Sequence, residues 1–276
     1  MSPKRGGNRI SAGLRSMLEL SLQDDLIVTN AFESWLDGNP DGTISPEAAA
    51  TITRQMVKPD RDRRFSFSAS QAGSCFRRQE LAFLGVQRVG VTDEKLRRIF
   101  NNGRWVHLKW QAQLLTAGIV DVIEMDIKNP KLKARCTLDG VGTALRGRYQ
   151  GQDFGLEIKG RNDYTYTQQA RDEPDESTRR QVDFQLLLSG FDVAVILNEN
   201  KNNQQYKEWV IYRDDERIKD ARAELRSLSK AIDDGRLHPM LPMCKRQEGE
   251  FNKCPFGGNG GPCMMAGTWP SRIGGR

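Results

Sequence analysis

Leu156-Glu157-Ile158-Lys159-Gly160 is the stretch on which the fold turns. Apolar and charged residues alternate along it with the period of two that a half-buried strand requires. Leu156 and Ile158 face one way, Glu157 and Lys159 the other. Two residues of strand separate the two charged positions by roughly 6–7 Å, so a carboxylate and an ammonium stand side by side on one surface. Such a pair is also an ordinary feature of a solvated sheet face, and the tripeptide alone does not choose between the two readings.

The flanks place this strand in a larger pattern. Residues 119–128, 134–146 and 154–159 read as three strands, with turns at Asn129-Pro130 and around residues 147–151. Ahead of them, Thr92-Asp93-Glu94 opens a helix on which Leu96, Ile99, Phe100, Gly103, Val106, His107, Trp110 and Leu114 follow helical spacing. Behind them, residues 177–189 form a helix that Gly190 ends. Residues 193–197 are an apolar run fit for a strand buried on both faces, and residues 208–212 form a further strand. Residues 214–234 form an amphipathic helix with Ile218, Ala221, Leu225, Leu228 and Ile232 on one face. This order predicts an α/β fold with a central mixed β-sheet flanked by helices.

Residues 1–65 read as a mainly helical N-terminal segment, with Leu14, Met17, Leu18 and Leu22 at helical spacing and a loop at residues 37–42. Ser45 and Pro46 are an N-cap and first-turn proline for a second helix, and residues 57–64 a charged linker. The whole chain has 276 residues, 42 Lys plus Arg against 36 Asp plus Glu, and a net charge of +6. The basic surplus makes nucleic acid the first partner to consider. At 37% hydrophobic the chain is too apolar for disorder, and its apolar runs are too short for a membrane helix. The basic N-terminus is followed by no hydrophobic region of a secretory signal, and five cysteines are an odd number. Both features point to a cytoplasmic chain whose cysteines are core thiols or metal ligands.

Asp139, in Leu138-Asp139-Gly140, lies on the strand before Glu157 and can come alongside it. Two acidic oxygen donors plus a backbone carbonyl make a hard-ligand set suited to Mg²⁺ or Mn²⁺. Such an ion activates water and neutralises charge on a phosphodiester, with Lys159 placed to orient the water or to stabilise developing charge. Asp153 is the alternative acid. His107 by itself reads as a satisfied core histidine, and Gln181 as a solvated helix residue one turn from Gln185. Their order along the chain is what carries information: His on a helix, Asp on a strand, Glu-x-Lys on a strand, Gln on a helix.

That order resembles the PD-(D/E)XK nuclease superfamily, and within it the RecB-like exonucleases. The segment from Gln181 to Ser189-Gly190 also resembles the phage YqaJ-type recombination exonucleases, although Gln185 stands where a Tyr is usual. The resemblance covers roughly residues 68–268. It implies a restriction-endonuclease-like core over 66–240, a Cys-rich segment over 241–268 and a tail over 269–276. It further implies that His107, Asp139, Glu157 and the Ile158 carbonyl hold the Mg²⁺ or Mn²⁺, that Lys159 assists the water, and that Gln181 orients substrate or Lys159. The expected activity is exonucleolytic hydrolysis of single-stranded DNA or DNA ends, in recombination, repair or replication. Proteins of those pathways are possible partners. The alternatives are a structure-specific or restriction-type endonuclease, or a cluster-bearing DNA-binding subunit with little cleavage.

Cys244, Cys254 and Cys263 fall in a Gly/Pro-rich stretch with almost no hydrophobic periodicity, which needs a cross-link or a metal to hold together. Three thiolates are an incomplete tetrahedral set. Cys75, in Ser74-Cys75-Phe76-Arg77-Arg78, resembles the first cysteine of the iron–sulfur RecB-family nucleases, in which one cysteine precedes the core and three follow. The resemblance implies that Cys75, Cys244, Cys254 and Cys263 bind a 4Fe-4S cluster. All-thiolate sets suit structural Zn²⁺ as well. Cys136, mid-strand, reads as a core thiol. Arg77, Arg78, Arg97, Arg98, Lys109, Arg179 and Arg180 are candidates for phosphate contacts, and Trp105, Tyr164 and Tyr166 for stacking on bases.

Overall fold

A computed structural model describes residues 26–57, 64–88, 94–169, 173–245, 254–257 and 261–265, with the side chains of 94–97 excepted. The helix expected around Leu14–Leu22, most of the charged linker and the tail over 269–276 lie outside the described residues. The elements in chain order are α1 (Val28–Gly38), α2 (Pro46–Met56), β1 (Phe67–Ser68), α3 (Phe76–Phe83) and α4 (Glu94–Thr116). Next come β2 (Val122–Asn129), β3 (Ala134–Thr143), β4 (Asp153–Arg161), α5 (Asp163–Gln168) and α6 (Glu176–Ser189). The chain continues through β5 (Val193–Asn200), β6 (Tyr206–Tyr212), α7 (Asp215–Asp233), α8 (Pro242–Lys245) and α9 (Pro262–Met265).

The sheet is mixed. Strand β3 runs antiparallel to β2 and β4 and parallel to β1, β4 runs parallel to β5, and β5 antiparallel to β6. The parallel step needs a crossover, which α5 and α6 supply. Three local expectations are corrected. The third-strand run ends at Thr143 rather than residue 146, the loop begins at Asn39 because Asp37 and Gly38 still belong to α1, and α3 and α5 are helices that periodicity did not show.

Each face of the sheet is covered. On one, Leu138, Ala194, Ile196 and Trp209 pack against Val182, Phe184 and Leu186 of α6 and Leu225 and Leu228 of α7. On the other, Phe154, Leu156, Ile158, Val195 and Leu197 pack against Val106, Trp110 and Leu114 of α4. Strand β5 is buried along its whole length, through its apolar run and on through the polar Asn198, Glu199 and Asn200. Each such aliphatic side chain contributes about 1.5–3 kcal/mol on burial, so this layer carries much of the fold.

Helix α1 is part of the second layer: Val28, Ala31 and Phe32 are buried in it, and the Phe32 ring meets Trp110 edge-on at 4.8 Å. No side chain of its own caps its start. Instead the Glu208 carboxylate on β6 accepts the backbone N–H groups of Ile27, Val28 and Thr29 at 2.7, 3.1 and 2.6 Å. Three of the orphan donors of a helix start are thereby satisfied from the far end of the domain. Among the described residues, no helix is long and apolar enough to cross a membrane.

Candidate active site

The β3–β4 ladder runs from Thr143–Asp153 to Gly140–Leu156 and stops there. Past that point the two strands fork, and side chains bond the main chain of the fork. The Ile158 N–H donates to Asp139 Oδ2 at 2.7 Å. Gln111 Nε2 donates to the Asp139 carbonyl at 2.8 Å, and Gln185 Nε2 to the Thr137 carbonyl at 3.3 Å. Buried main-chain polar groups require partners of this kind.

Glu157 and Lys159 project on the α6 side of β4. Lys159 Nζ lies 2.7 Å from Glu157 Oε1 and donates to Gln181 Oε1 at 2.8 Å. Gln181 Nε2 donates to Glu157 Oε1 at 2.7 Å, and Gln185 Nε2 to Glu157 Oε2 at 2.6 Å. The two glutamines are one helical turn apart, so a single face of α6 clamps both carboxylate oxygens. Helix α6 is set by its ends: Asp175 caps its first turn through the Thr178 N–H, and Gly190 closes it in the left-handed conformation at φ 80°.

His107 on α4 approaches from the other side, with Nδ1 3.3 Å from Asp139 Oδ1. These groups line one cavity of about 530 Å³, together with Gln111, Glu124, Arg104, Arg135 and the Ser68–Ser70 turn. That volume is in the range of sites that hold a small ligand.

The buried charges polarise one another. Burial pushes the Glu157 carboxyl up, Lys159 opposes this, and the neighbouring Asp139 charge adds to it. Burial acts on Asp139 in the same sense, but His107 and the Ile158 N–H outweigh it and hold Asp139 below the ordinary range. Burial disfavours protonated His107, yet the Asp139 and Glu157 charges raise its pKa to about 9. Two acids in one pocket driven in opposite directions are the arrangement expected where acid–base or metal chemistry is carried out.

In kind, the donors fit a hard divalent cation: two buried carboxylates that repel each other, with an imidazole beside them. Among the described residues, no three His, Cys, Asp or Glu side chains stand in metal-holding positions. At the fork each carboxylate is hydrogen-bonded within the protein.

Of the residues expected from sequence, His107, Asp139, Glu157, Lys159 and Gln181 all line this cavity. Asp153 does not: it is exposed at the start of β4 and accepts from Thr143 Oγ1 at 2.8 Å. Gln185, Gln111 and Glu124 were absent from the expected set. Gln111 was findable, since it lies one turn after His107 on the same helical face.

The expected substrate contacts fare less well. Arg77 is buried and donates to the carbonyls of His238 and Cys263. Lys109 pairs with Glu199, Arg179 with Asp183 and Arg180 with Glu176. Tyr166 is buried, whereas Trp105 and Tyr164 are exposed. The side chain of Arg97 lies outside the described residues. The arginines that do line the cavity are Arg104 and Arg135.

The C-terminal cysteines sit near α3. Cys75 immediately precedes it, and Cys263 and Cys254 pack around Leu81 and Phe256. Burial raises the Cys244 thiol, and the charges of Cys75 and Cys254 add to this. Burial likewise raises Cys263, Arg77 opposes it, and Cys254 and Cys75 add to it. Cys244 and Cys263 are thus each within electrostatic reach of Cys75 and Cys254. Cys136 is buried in β3, and burial pushes its thiol up to about 12.

No family model matches this chain, and no curated protein matches it. Among solved structures, an alkaline exonuclease, LHK-Exo from Laribacter hongkongensis, superposes with a TM-score of 0.45 at 18% identity, over 62% of this chain and 90% of its own. LHK-Exo in complex with dAMP gives a TM-score of 0.45 at 17% identity, over 61% and 88%. The protein SSO0001 gives 0.41 at 13% identity, over 76% and 91%.

Proposed function

We propose that this chain is a Mg²⁺- or Mn²⁺-dependent DNA exonuclease with a PD-(D/E)XK-type core over residues 66–240. The observation that carries the reading is the convergence of His107, Asp139, Glu157, Lys159 and Gln181 on one cavity at the β3–β4 fork. Asp139, Glu157, His107 and the Ile158 carbonyl would hold the cation. When bound, it supplies Lewis-acid charge to the phosphodiester and makes a water more acidic. Lys159, next to Glu157, orients that water and offsets charge as it develops on the phosphate. Gln181 accepts from Lys159 while donating to Glu157, which fixes the direction of both partners of the ion pair. The basic surplus of the chain fits a polyanionic substrate, single-stranded DNA or DNA ends, in recombination, repair or replication.

Residues 241–268 serve this core through Cys244, Cys254 and Cys263, which with Cys75 hold a 4Fe-4S cluster or a structural Zn²⁺. What supports this is that Cys244 and Cys263 each lie within electrostatic reach of Cys75 and Cys254, and that Cys254 and Cys263 pack in one cluster beside α3.

The test is cleavage of labelled linear and circular single-stranded DNA in Mg²⁺ or Mn²⁺. Linear DNA should be degraded and circular DNA spared, with all activity lost in EDTA. EDTA-resistant cleavage defeats the mechanism, and rapid nicking of circles replaces an exonuclease with an endonuclease.

A further inference from the structure

Strand β2 contains one residue that does not behave as strand. Ile123 pairs with Gly140 and Met125 with Leu138, but Glu124, which lies between them opposite Asp139, is absent from the ladder. Its φ is 53°, in the left-handed region that a non-glycine residue adopts at a cost. Its Oε1 accepts from Gln111 Nε2 at 3.1 Å. The same Gln111 nitrogen donates to the Asp139 carbonyl at 2.8 Å, so both amide hydrogens are committed, in a side chain that is 1% exposed. One turn earlier on α4, His107 meets the Asp139 carboxylate. Helix α4 thus grips Asp139 at its main chain and at its side chain, and with the same amide tethers a second acid on the cavity wall.

We propose that Gln111 is a positioning residue which, through Asp139 and Glu124, sets how tightly the site holds its divalent cation. The inference rests on the metal-dependent reading above. A strand that needed only a turn at position 124 would be served at least as well by glycine, which takes φ 53° without strain. A buried position on α4 that needed only packing would be served by leucine. The Glu124 carboxylate adds negative potential near Asp139, and the Gln111 amide, bonded to that carboxylate and to the Asp139 main chain, fixes where the two acids stand. Outer groups of this kind change metal affinity by roughly 10–100-fold when removed.

The experiment is Mn²⁺ binding to the full-length protein, followed by the loss of free-Mn²⁺ electron paramagnetic resonance signal, with thermal melts of the same samples. Gln111→Leu and Glu124→Gln should weaken Mn²⁺ binding by about 10-fold or more. In cleavage assays the half-saturating Mn²⁺ concentration should rise by a similar factor. Glu124→Gly is the deciding variant. It should melt at or above the wild-type temperature, because the backbone strain is relieved, and still bind Mn²⁺ more weakly. If Gln111→Leu fails to fold, Glu124→Gly and Glu124→Gln decide alone. Wild-type affinity in Glu124→Gly and Glu124→Gln overturns the inference and leaves the nuclease reading standing. A wild-type protein that neither binds Mn²⁺ nor needs it for cleavage overturns the nuclease reading itself.

Discussion

Glu157 is clamped by two glutamines on a helix whose other faces are locked into the main core, whereas Cys254 and Cys263 belong to a cluster that, among the described residues, buries Leu81, Phe256 and Cys263 with Ala82, Val86, Leu237 and Met240 partly buried against them. At about 1.5–3 kcal/mol for each buried aliphatic or aromatic side chain, packing holds the first region far more strongly than the described part of the second. The chemistry at the fork is therefore preorganised by packing. On the proposed reading, cohesion of the C-terminal segment would depend instead on what its thiols bind. Damage at the fork should show as lost chemistry on an intact fold, and damage at the cysteines as lost structure with chemistry following behind.

The largest effect expected is at the fork. Glu157→Ala and Lys159→Ala should each lower cleavage by roughly 100-fold or more, with circular dichroism and DNA binding close to wild type. Unchanged cleavage in both would remove β4 from the chemistry and dissolve the contrast.

Next come the cysteines. Cys75→Ala, Cys244→Ala, Cys254→Ala and Cys263→Ala should each lose the brown colour of anaerobically purified protein, melt earlier and expose the C-terminal segment to protease. Cleavage should fall only partially, since the carboxylates remain. One zinc per colourless wild-type chain would keep the site and change its metal. Colour kept in Cys75→Ala and lost in Cys136→Ala would break the ligand set.

A smaller effect is expected at the start of α6. Burial opposes ionisation of Asp175, but hydrogen bonds from Ser177 and Thr178 and the Arg161 charge bring its pKa from 3.8 to about 2. The folded pKa lies below the unfolded one, so the stabilisation is complete above the unfolded value and is lost as pH falls toward 2. Asp175→Ala should cost about 1–2 kcal/mol in urea melts at neutral pH, the cost of a lost N-cap, and less at pH 3. A cost independent of pH would mean that the charge plays no part. Smallest of all, Asp153→Asn should leave cleavage unchanged. A dead Asp153→Asn would move the site from the fork to the turn.

The strands, the long helices and their order were legible because each buries a face, and burial writes its period into the sequence. Glu157, Lys159 and Gln181 were legible for the same reason: alternation and a helical turn say which side chains share a surface. The fork was not, since where a ladder stops depends on both strands. Helix α3 was hidden by its own buried polar residues, Arg77, Gln79 and Glu80, whose partners are the distant His238, Cys263 and Glu224. For two of the basic residues, nearness in sequence is not freedom in space. Arg77 and Lys109 flank the site along the chain, but their charges are spent on structure.

The carboxylate of Glu208 at the start of α1 has a consequence for biosynthesis. The contact spans 181 residues of chain. At about 5–20 residues per second, the ribosome takes roughly 10–40 s between making the helix and making its cap. Throughout that interval the amides of Ile27, Val28 and Thr29 have no carboxylate to meet, and Phe32 has no finished sheet to cover it. The first described helix to emerge is thus among the last to be secured. A nascent chain stalled before β6 would present an apolar N-terminal helix to whatever waits at the exit tunnel.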